Sequence, residues 1–284
     1  MKSFSFIIFK RYIINLISQI FAFCSFLISF FFISWILYTL FSKGLAGINW
    51  NIFTQTTPSP GDSGGLLNAI VGSFLMVSAA ISIGAPVGIL VALYTSEYGK
   101  SPLFSKALNF TNDVLLSSPS IIFGLFIYEL YVVKTKTFSG WAGALVLCII
   151  AIPIIIKTSE SVFRLVPREL KEAAAALGAP RWKLFFRIIL PISKTGIITG
   201  IILSIARISG ETAPLLFTSL NNQFLSWNMD HPIASLPIVI FQYAMSPYTD
   251  WHDLAWAGAL LLTVFVLTLN IIVRVIFRKK IILN

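Results

Sequence analysis

The chain has 284 residues, of which 57% are hydrophobic and only 11% charged, with a mean hydropathy of +0.87. Soluble domains carry about 25% charged residues, so the composition excludes that class and leaves a polytopic membrane protein. The formal net charge of +10 does not point to nucleic acid: the Lys and Arg residues are interleaved with long apolar runs and have no aromatic platform around them, and basic loops on one side of a membrane account for them better.

A helix that crosses a bilayer needs about 20 mainly apolar residues. Six stretches qualify, at about 13–41, 66–94, 114–133, 141–157, 195–219 and 254–277. They predict an all-α domain with six membrane helices that occupies residues 1–284 as a single unit. The first stretch follows a basic flank of Lys2, Lys10 and Arg11. Its apolar run is much longer than the roughly 7–15 residues of a signal-peptide core, so it is expected to be kept as a span. Seventeen Lys and Arg residues fall in the N-terminal flank, the second and fourth connections and the C-terminus, against three (Lys43, Lys134, Lys136) in the alternate connections. That bias places both termini in the cytoplasm. Cys24 and Cys148 lie inside apolar runs without His or Cys at metal-ligand spacing, and both are expected to be small buried hydrophobes.

In the first external connection, Pro58-Ser59-Pro60-Gly61-Asp62-Ser63-Gly64-Gly65 has turn chemistry and no apolar periodicity, and reads as a solvated loop. The third stretch contains Ser117-Ser118-Pro119-Ser120. Proline there frees a backbone carbonyl that serine hydroxyls can help to satisfy, which predicts a kink. Glu129, near the outer end of this stretch, reads as interfacial.

Residues 158–194 form a cytoplasmic loop too polar to span. Pro167 suits a first helical turn, and Leu170, Ala173, Ala174 and Leu177 then fall at i, i+3, i+4 and i+7, an apolar stripe that Gly178 would end in a left-handed conformation. A second amphipathic piece sets Trp182, Phe185, Phe186 and Ile189 against Arg181, Lys183 and Arg187, with Pro191 closing it. An Ala- and Leu-lined stripe fits either a groove on a soluble partner or lipid headgroups, and spacing admits both.

In the fifth stretch Gly200, Ser204, Arg207, Glu211 and Thr218 recur at a spacing that puts them on one face of a continuous helix. An ionisable side chain at membrane depth costs roughly 2.5–3.5 kcal/mol on insertion scales and is expected to face a bundle interior or a watery path. Arg207 and Glu211 could simply neutralise each other and fix helix packing. Alternatively, Arg207 offers a planar fork suited to an oxyanion, which Glu211 would occupy until an anion displaced it. In the last external connection, 220–253, Ile233, Leu236, Pro237, Ile240 and Tyr243 recur at helical spacing. This reads either as a short helix at the outer interface, anchored by Trp227, Tyr248 and Trp251, or as a loop packed on the bundle. His231 and His252 read as surface histidines.

Glu172-Ala173-Ala174, followed by Gly178 and later by Ile188 and Leu190-Pro191, resembles the EAA loop of ABC-importer permeases. The run Ala206-Arg207-Ile208-Ser209-Gly210-Glu211-Thr212-Ala213-Pro214-Leu215-Leu216 is similar to the corresponding segment of the PstA family of phosphate-importer permeases. So are Gly64-Gly65-Leu66-Leu67-Asn68-Ala69-Ile70-Val71-Gly72, Pro119-Ser120-Ile121-Ile122-Phe123-Gly124-Leu125 and Ala234-Ser235-Leu236-Pro237, and the likeness covers about residues 50–275. The resemblance implies a type I, MetI-like permease fold in a bacterial inner membrane. It implies that the loop docks an ATPase through Glu172, Ala173, Ala174, Gly178, Leu190 and Pro191, and that Arg207 and Glu211 act in phosphate passage, with Ser204 and Thr212 beside them on the path. The partners implied are membrane lipid, a second homologous permease (PstC-like), two copies of an ATPase (PstB-like) and an extracytoplasmic phosphate-binding protein (PstS-like).

The chain has no Gly-x-x-x-x-Gly-Lys-[Ser/Thr] run, so ATP and Mg are expected on the ATPase, with no cofactor and no enzymatic activity in this chain itself. One arginine does not distinguish tetrahedral oxyanions, which leaves molybdate, sulfate or phosphonate as other cargoes. An ATP-independent secondary transporter would carry inverted repeats, and residues 1–140 and 141–284 show no such relation. The absence of His-Glu-x-x-His and of paired intramembrane aspartates argues against an intramembrane protease.

Overall fold

Inside hydrocarbon every backbone N–H and C=O must find a partner within the protein, which leaves helices as the economical answer for a chain this apolar. The computed structural model describes residues 2–99 and 102–281, with side chains described over 10–99 and 103–275. Lys100 and the side chains of Lys2, Arg278, Lys279 and Lys280, which contribute to the orientation bias, lie outside the described residues.

The elements are α1 (Lys2–Gly47), α2 (Asn51–Thr54), α3 (Leu67–Leu93), α4 (Pro102–Ser117), α5 (Ser120–Ile127), α6 (Val133–Thr135), α7 (Gly140–Arg164), α8 (Arg168–Ala176), α9 (Arg181–Leu184), α10 (Leu190–Ile208), α11 (Ala213–Leu216), α12 (Leu236–Ala244) and α13 (Thr249–Ile281). Single π-helical turns extend α3 to Tyr98, join α5 to α6 and join α9 to α10. Among the described residues five helices are long and apolar enough to cross a bilayer, and the bent pair α4 and α5–α6 makes a sixth if counted as one span.

At Pro119 the chain does more than kink. α4 stops at Ser117, α5 starts at Ser120, and the two directions differ by 104°. Pro119 sits in extended backbone (φ −60°, ψ 133°) as the N-cap of α5. The Ser117 hydroxyl donates to the Asp113 and Val114 carbonyls (3.0 and 3.1 Å) and that of Ser118 to Val114 (2.7 Å). A missing proline N–H plus hydroxyls that satisfy the loosened carbonyls makes a full break tolerable at membrane depth. Glu129 lies in the π turn after α5 and is exposed.

α7 is the central helix, with α3 and α10 packed along it. Lipid tails are as apolar as leucine, so helices associate here through close van der Waals contact, which small residues permit. Gly84 and Gly88 of α3 meet Cys148, Ile152 and Ile155; Gly143 of α7 meets Met76 and Ser219; Gly196 and Gly200 of α10 meet Val162 and Thr158. α1 touches the bundle near its C-terminal end, where Gly44 and Gly47 lie against α13. Cys24, expected inside, is exposed on the free part of α1, whereas Cys148 is buried in the α3–α7 contact.

Two external segments are more ordered than expected. The connection between α1 and α3 is not a freely solvated loop: α2 forms within it, Ile52, Thr57 and Pro58 are buried, and the buried Asn68 ties it down. Asn68 Nδ2 donates to Thr57 Oγ1 (2.9 Å) and to the Asn222 carbonyl (2.7 Å), and its Oδ1 accepts the Thr57 N–H (3.0 Å). In the last external connection α12 forms, but it packs into the bundle between α3 and α13 with Leu236, Pro237, Ile238, Val239 and Tyr243 buried. Trp251 stacks on Tyr243 (4.3 Å between centroids, 14° between planes), so it is a packing residue, while Trp227 is exposed. His231 is exposed, and His252 Nε2 lies 2.7 Å from the Ser246 carbonyl, a local loop tie.

Candidate functional site

Two sites emerge, one at the basic end of the bundle and one at the end of α10. α7 runs on to Arg164, so the helix claims the first residues of the loop predicted from 158. Pro167 is the N-cap of α8, one position before the expected first turn. Gly178 adopts φ +75° and ends α8 with paired bonds, Ala179 N–H to Ala174 O (3.1 Å) and Gly178 N–H to Ala175 O (2.9 Å), the geometry of a glycine-terminated helix. A Cβ at Gly178 would meet nothing within 4 Å, so backbone conformation and open space, not crowding, define this position.

The apolar stripe of α8 divides. Ala174 turns inward and is buried, while Leu170, Glu172, Ala173 and Gly178 are exposed and Leu177 is 89% exposed. A leucine this bare, beside Ala173 and Gly178, forms a shallow apolar surface rimmed by Glu172. Beyond it, Phe185 and Ile189 are buried while Trp182 and Phe186 remain exposed. Pro191 does not close this piece: the helix runs unbroken from Arg181 to Ile208, with the π turn Phe185–Ile189 just before the proline. The wider turn gives room where Pro191 cannot donate. Leu190 is half-buried against the Phe163–Phe185 cluster and Pro191 is exposed.

α10 ends at Ile208, earlier than the expected span to 219, because Gly210 and the Ala213-Pro214 step oppose continued helix. Ser209 to Thr212 form a turn and α11 follows, so Glu211 and Thr218 do not share the helix of Arg207. The charges still approach: Arg207 Nη2 lies 3.9 Å from Glu211 Oε1, with side chains 55% and 14% exposed. That separation is too long for a hydrogen bond, so Glu211 sets the local charge without plugging the guanidinium fork. Ser204 is fully buried and donates to the Ile201 carbonyl (2.7 Å), and the bare Cα of Gly200 admits Thr158; both face helix packing instead of the open surface that Arg207 reaches. Thr212 is half-buried as the N-cap of α11, and Thr218 is fully buried, donating to the Pro214 carbonyl (2.9 Å).

The stretches that look alike in sequence meet in space. Gly124 of α5 packs on Pro214 of α11, where an added Cβ would lie 2.6 Å from the proline Cα. Gly72 of α3 faces the Ala234 carbonyl, and Ser73 Oγ accepts the Leu236 N–H (2.7 Å). One cluster lies outside the expected sites: a cleft of about 370 Å³ lined by Asn109, Asp113, Lys157, Glu160, Ser161 and Arg164. It holds the ion pairs Lys157–Asp113 (2.8 Å) and Arg164–Glu160 (2.5 Å). Lys157, Glu160, Ser161 and Arg164 fall at i, i+3, i+4 and i+7, a usable signal only once the helix is continued past 157 into the stretch expected as loop.

The spans, broken and unbroken, pack around a central helix with an outward-facing short helix at the basic end, and the class of this fold is that of permease subunits of binding-protein-dependent transport systems. Residues 84–281 match the family described as "Binding-protein-dependent transport system inner membrane component". The fold is shared with a chain of the MetNI methionine ABC transporter (TM-score 0.57, 18% identity, covering 75% of this chain and 92% of that one). It is also shared with a chain of the bacterial alginate ABC transporter in complex with an alginate pentasaccharide-bound periplasmic protein (TM-score 0.61, 16% identity, 88% and 89%).

Closer relatives narrow the class. The chain is 54% identical over 259 residues to the phosphate transport system permease protein PstA of Haemophilus influenzae (91% of this chain, 92% of the relative). It is 49% identical over 267 residues to that of Yersinia pestis (94% and 90%), and 34% identical over 269 residues to PstA 1 of Mycobacterium tuberculosis strain H37Rv (92% and 87%). The chain belongs to the PstA family of phosphate transport system permease proteins, and is a multi-pass protein of the inner membrane.

Proposed function

We propose that this chain is one of two permeases of an ATP-driven importer of inorganic phosphate, and that Arg207 is its anion-contacting residue. The observation that carries this reading is the guanidinium of Arg207 at the end of α10: more than half exposed, with Glu211 near enough to tune its field and too far to occupy its donors. An arginine fork left open in this way suits the paired oxygens of a tetrahedral oxyanion. Its outward aim favours a path completed by a second, homologous permease (PstC-like) instead of one closed within this chain. Thr212 and Glu211 border that path. The bare face of α8 around Glu172, Ala173, Leu177 and Gly178 is the surface offered to a PstB-like ATPase dimer, which supplies ATP and Mg, so this subunit needs no nucleotide site or cofactor of its own. A PstS-like binding protein delivers phosphate from outside.

The test is uptake of labelled phosphate into vesicles holding this chain with its neighbouring permease, ATPase and binding protein, with molybdate and sulfate as competitors. Saturable, ATP-dependent phosphate uptake is expected, abolished by Arg207→Gln and by Glu172→Arg while the complex still purifies whole. Full uptake by the Arg207 variant would remove that residue from the path. Uptake without ATP would favour a secondary transporter, and transport of molybdate or sulfate in place of phosphate would change the cargo.

A further inference from the structure

Glu97 and Lys171 stand 74 residues apart in sequence and pair in space. Of the four ion pairs among the described residues this is the most enclosed on both sides, with side chains 15% and 20% exposed; each of the others has a member exposed to 55% or more. Right beside it, the Arg181 guanidinium lies over the ring of Tyr98, 5.7 Å from its centre. Both halves of the segment that faces the ATPase are therefore held by one short stretch: α8 through Lys171 and α9 through Arg181, each onto the π turn Tyr94–Tyr98 at the end of α3. Within α8 itself only Ala174 is buried, so this helix is positioned by a polar tie more than by apolar packing.

The π turn is suited to be a fixed anchor. Thr95 and Ser96 hydroxyls donate to the Ala92 and Leu93 carbonyls (3.1 and 3.3 Å), and Ala92 belongs to the apolar cluster of Phe163, Phe185 and Ile189 that joins α3, α7 and the start of α10. The helical run from Leu67 to Tyr98 has 32 residues, which at 1.5 Å each is about 48 Å of rod. Its other end is fixed as firmly: Asn68 ties to Thr57 and Asn222, Gly72 to Ala234 and Ser73 to Leu236. One rod thus connects the ATPase-facing segment with the loop cluster of the opposite face.

We propose that Glu97 and Lys171, backed by Tyr98 and Arg181, form a strut that stays closed through the transport cycle and makes α3 the lever between the ATPase and the outer loops. This rests on the reading of α8 as the ATPase-docking surface. Glu97 and Lys171 are positioning residues: they touch neither nucleotide nor phosphate, and act by keeping α8 in register with α3.

The experiment uses the complete complex in vesicles, with Glu97→Lys and Lys171→Glu made singly and together. Each single reversal puts like charges in an enclosed site. It is expected to leave basal ATP hydrolysis unchanged while lowering both the stimulation of hydrolysis by loaded binding protein and phosphate uptake by about tenfold or more. The double reversal should bring both back to within about threefold, the coupling expected of residues in direct contact. As a second arm, Glu97→Cys with Lys171→Cys, in a chain carrying Cys24→Ser and Cys148→Ala, is bridged by a short bis-thiol reagent. A bridged complex that still transports supports a strut that never opens. Single reversals with full stimulation and uptake, a double reversal that assembles without recovery, or a bridged complex arrested in transport would each overturn the proposal. Where single reversals fail to assemble, the bridged complex decides. If the unaltered complex shows stimulated hydrolysis without phosphate uptake, the cargo reading falls, and stimulation alone judges the strut.

Discussion

α1 and α7 are about equally apolar, with mean hydropathy 2.4 and 2.2 over their most apolar eighteen residues, yet 0% of that stretch is buried in α1 and 67% in α7. The difference lies in side-chain size. α7 carries Gly140, Ala142, Gly143, Ala144, Cys148 and Ala151, all buried; Gly143 lies against Met76 of α3, and Gly84 and Gly88 of α3 lie against Cys148, Ile152 and Ile155 of α7. α1 presents Phe21, Phe23, Phe26, Phe30, Phe31 and Phe32, all more than half exposed. In a bilayer hydropathy decides whether a helix enters, and surface relief decides what it packs against. The bulky face of α1 suits lipid, while the smooth faces of α3 and α7 let the backbones approach.

The comparison can be broken most severely at the α3–α7 contact. A Cβ on Gly88 would sit 2.9 Å from Ile155 Cβ, so Gly88→Leu should force the helices apart at a cost of about 3 kcal/mol, with a large fall in the melting temperature of the purified complex. A melting temperature equal to that of the unaltered protein would show that small residues do not set this packing. Next in size is Asn68→Leu, which leaves the Thr57 N–H and the Asn222 carbonyl without their partner and should cost about 2 kcal/mol, read as early proteolysis or hydrogen exchange of the α2 connection.

Tyr243→Phe removes a hydroxyl that donates to the Pro58 carbonyl (3.2 Å), worth about 1 kcal/mol. Burial raises the Tyr243 pKa above its ordinary 10.0, opposed in part by the Thr57 hydroxyl. A pKa raised on folding stabilises the protein fully below the ordinary value and is lost as pH climbs through the raised one. The unaltered protein should therefore lose melting temperature above about pH 10 more steeply than the Phe variant; parallel curves would refute the assignment. The smallest effect belongs to α1. Phe26→Leu changes a 60% exposed side chain and should shift stability by less than about 0.5 kcal/mol. A marked loss would mean that this face of α1 is covered in the assembled protein.

Much of the site was legible because it is locally encoded. Gly178 ends α8 through backbone freedom that only its own residue type supplies cheaply, and Ser117, Ser118 and Pro119 carry both the break and the hydroxyls that satisfy it. The sequence also separated Arg207 and Glu211 from the surrounding apolar run. What it misjudged were faces and ends. Ser204 has the right period to join Arg207 and is instead buried, its hydroxyl donating to the Ile201 carbonyl. Glu211 has helical spacing from Arg207, but the helix has already stopped. The strut from Glu97 to Lys171 gives no local signal, since neither residue recognises the other until α3 and α8 are side by side.

By itself, then, the chain's composition and periodicity determined an all-helical membrane protein, its apolar stretches, its basic end and the turn chemistry at Pro119 and Gly178, because each depends on residues within one or two turns of one another. The tertiary structure alone decided that α12 is buried instead of lying on lipid, that α1 stands free while α7 is enclosed, that Leu177 is left bare, and that Arg207 is more than half exposed with Glu211 beyond hydrogen-bond distance. Those are properties of pairs of surfaces distant in sequence, and apolar residues facing lipid or protein look the same until a partner surface of the right relief is beside them.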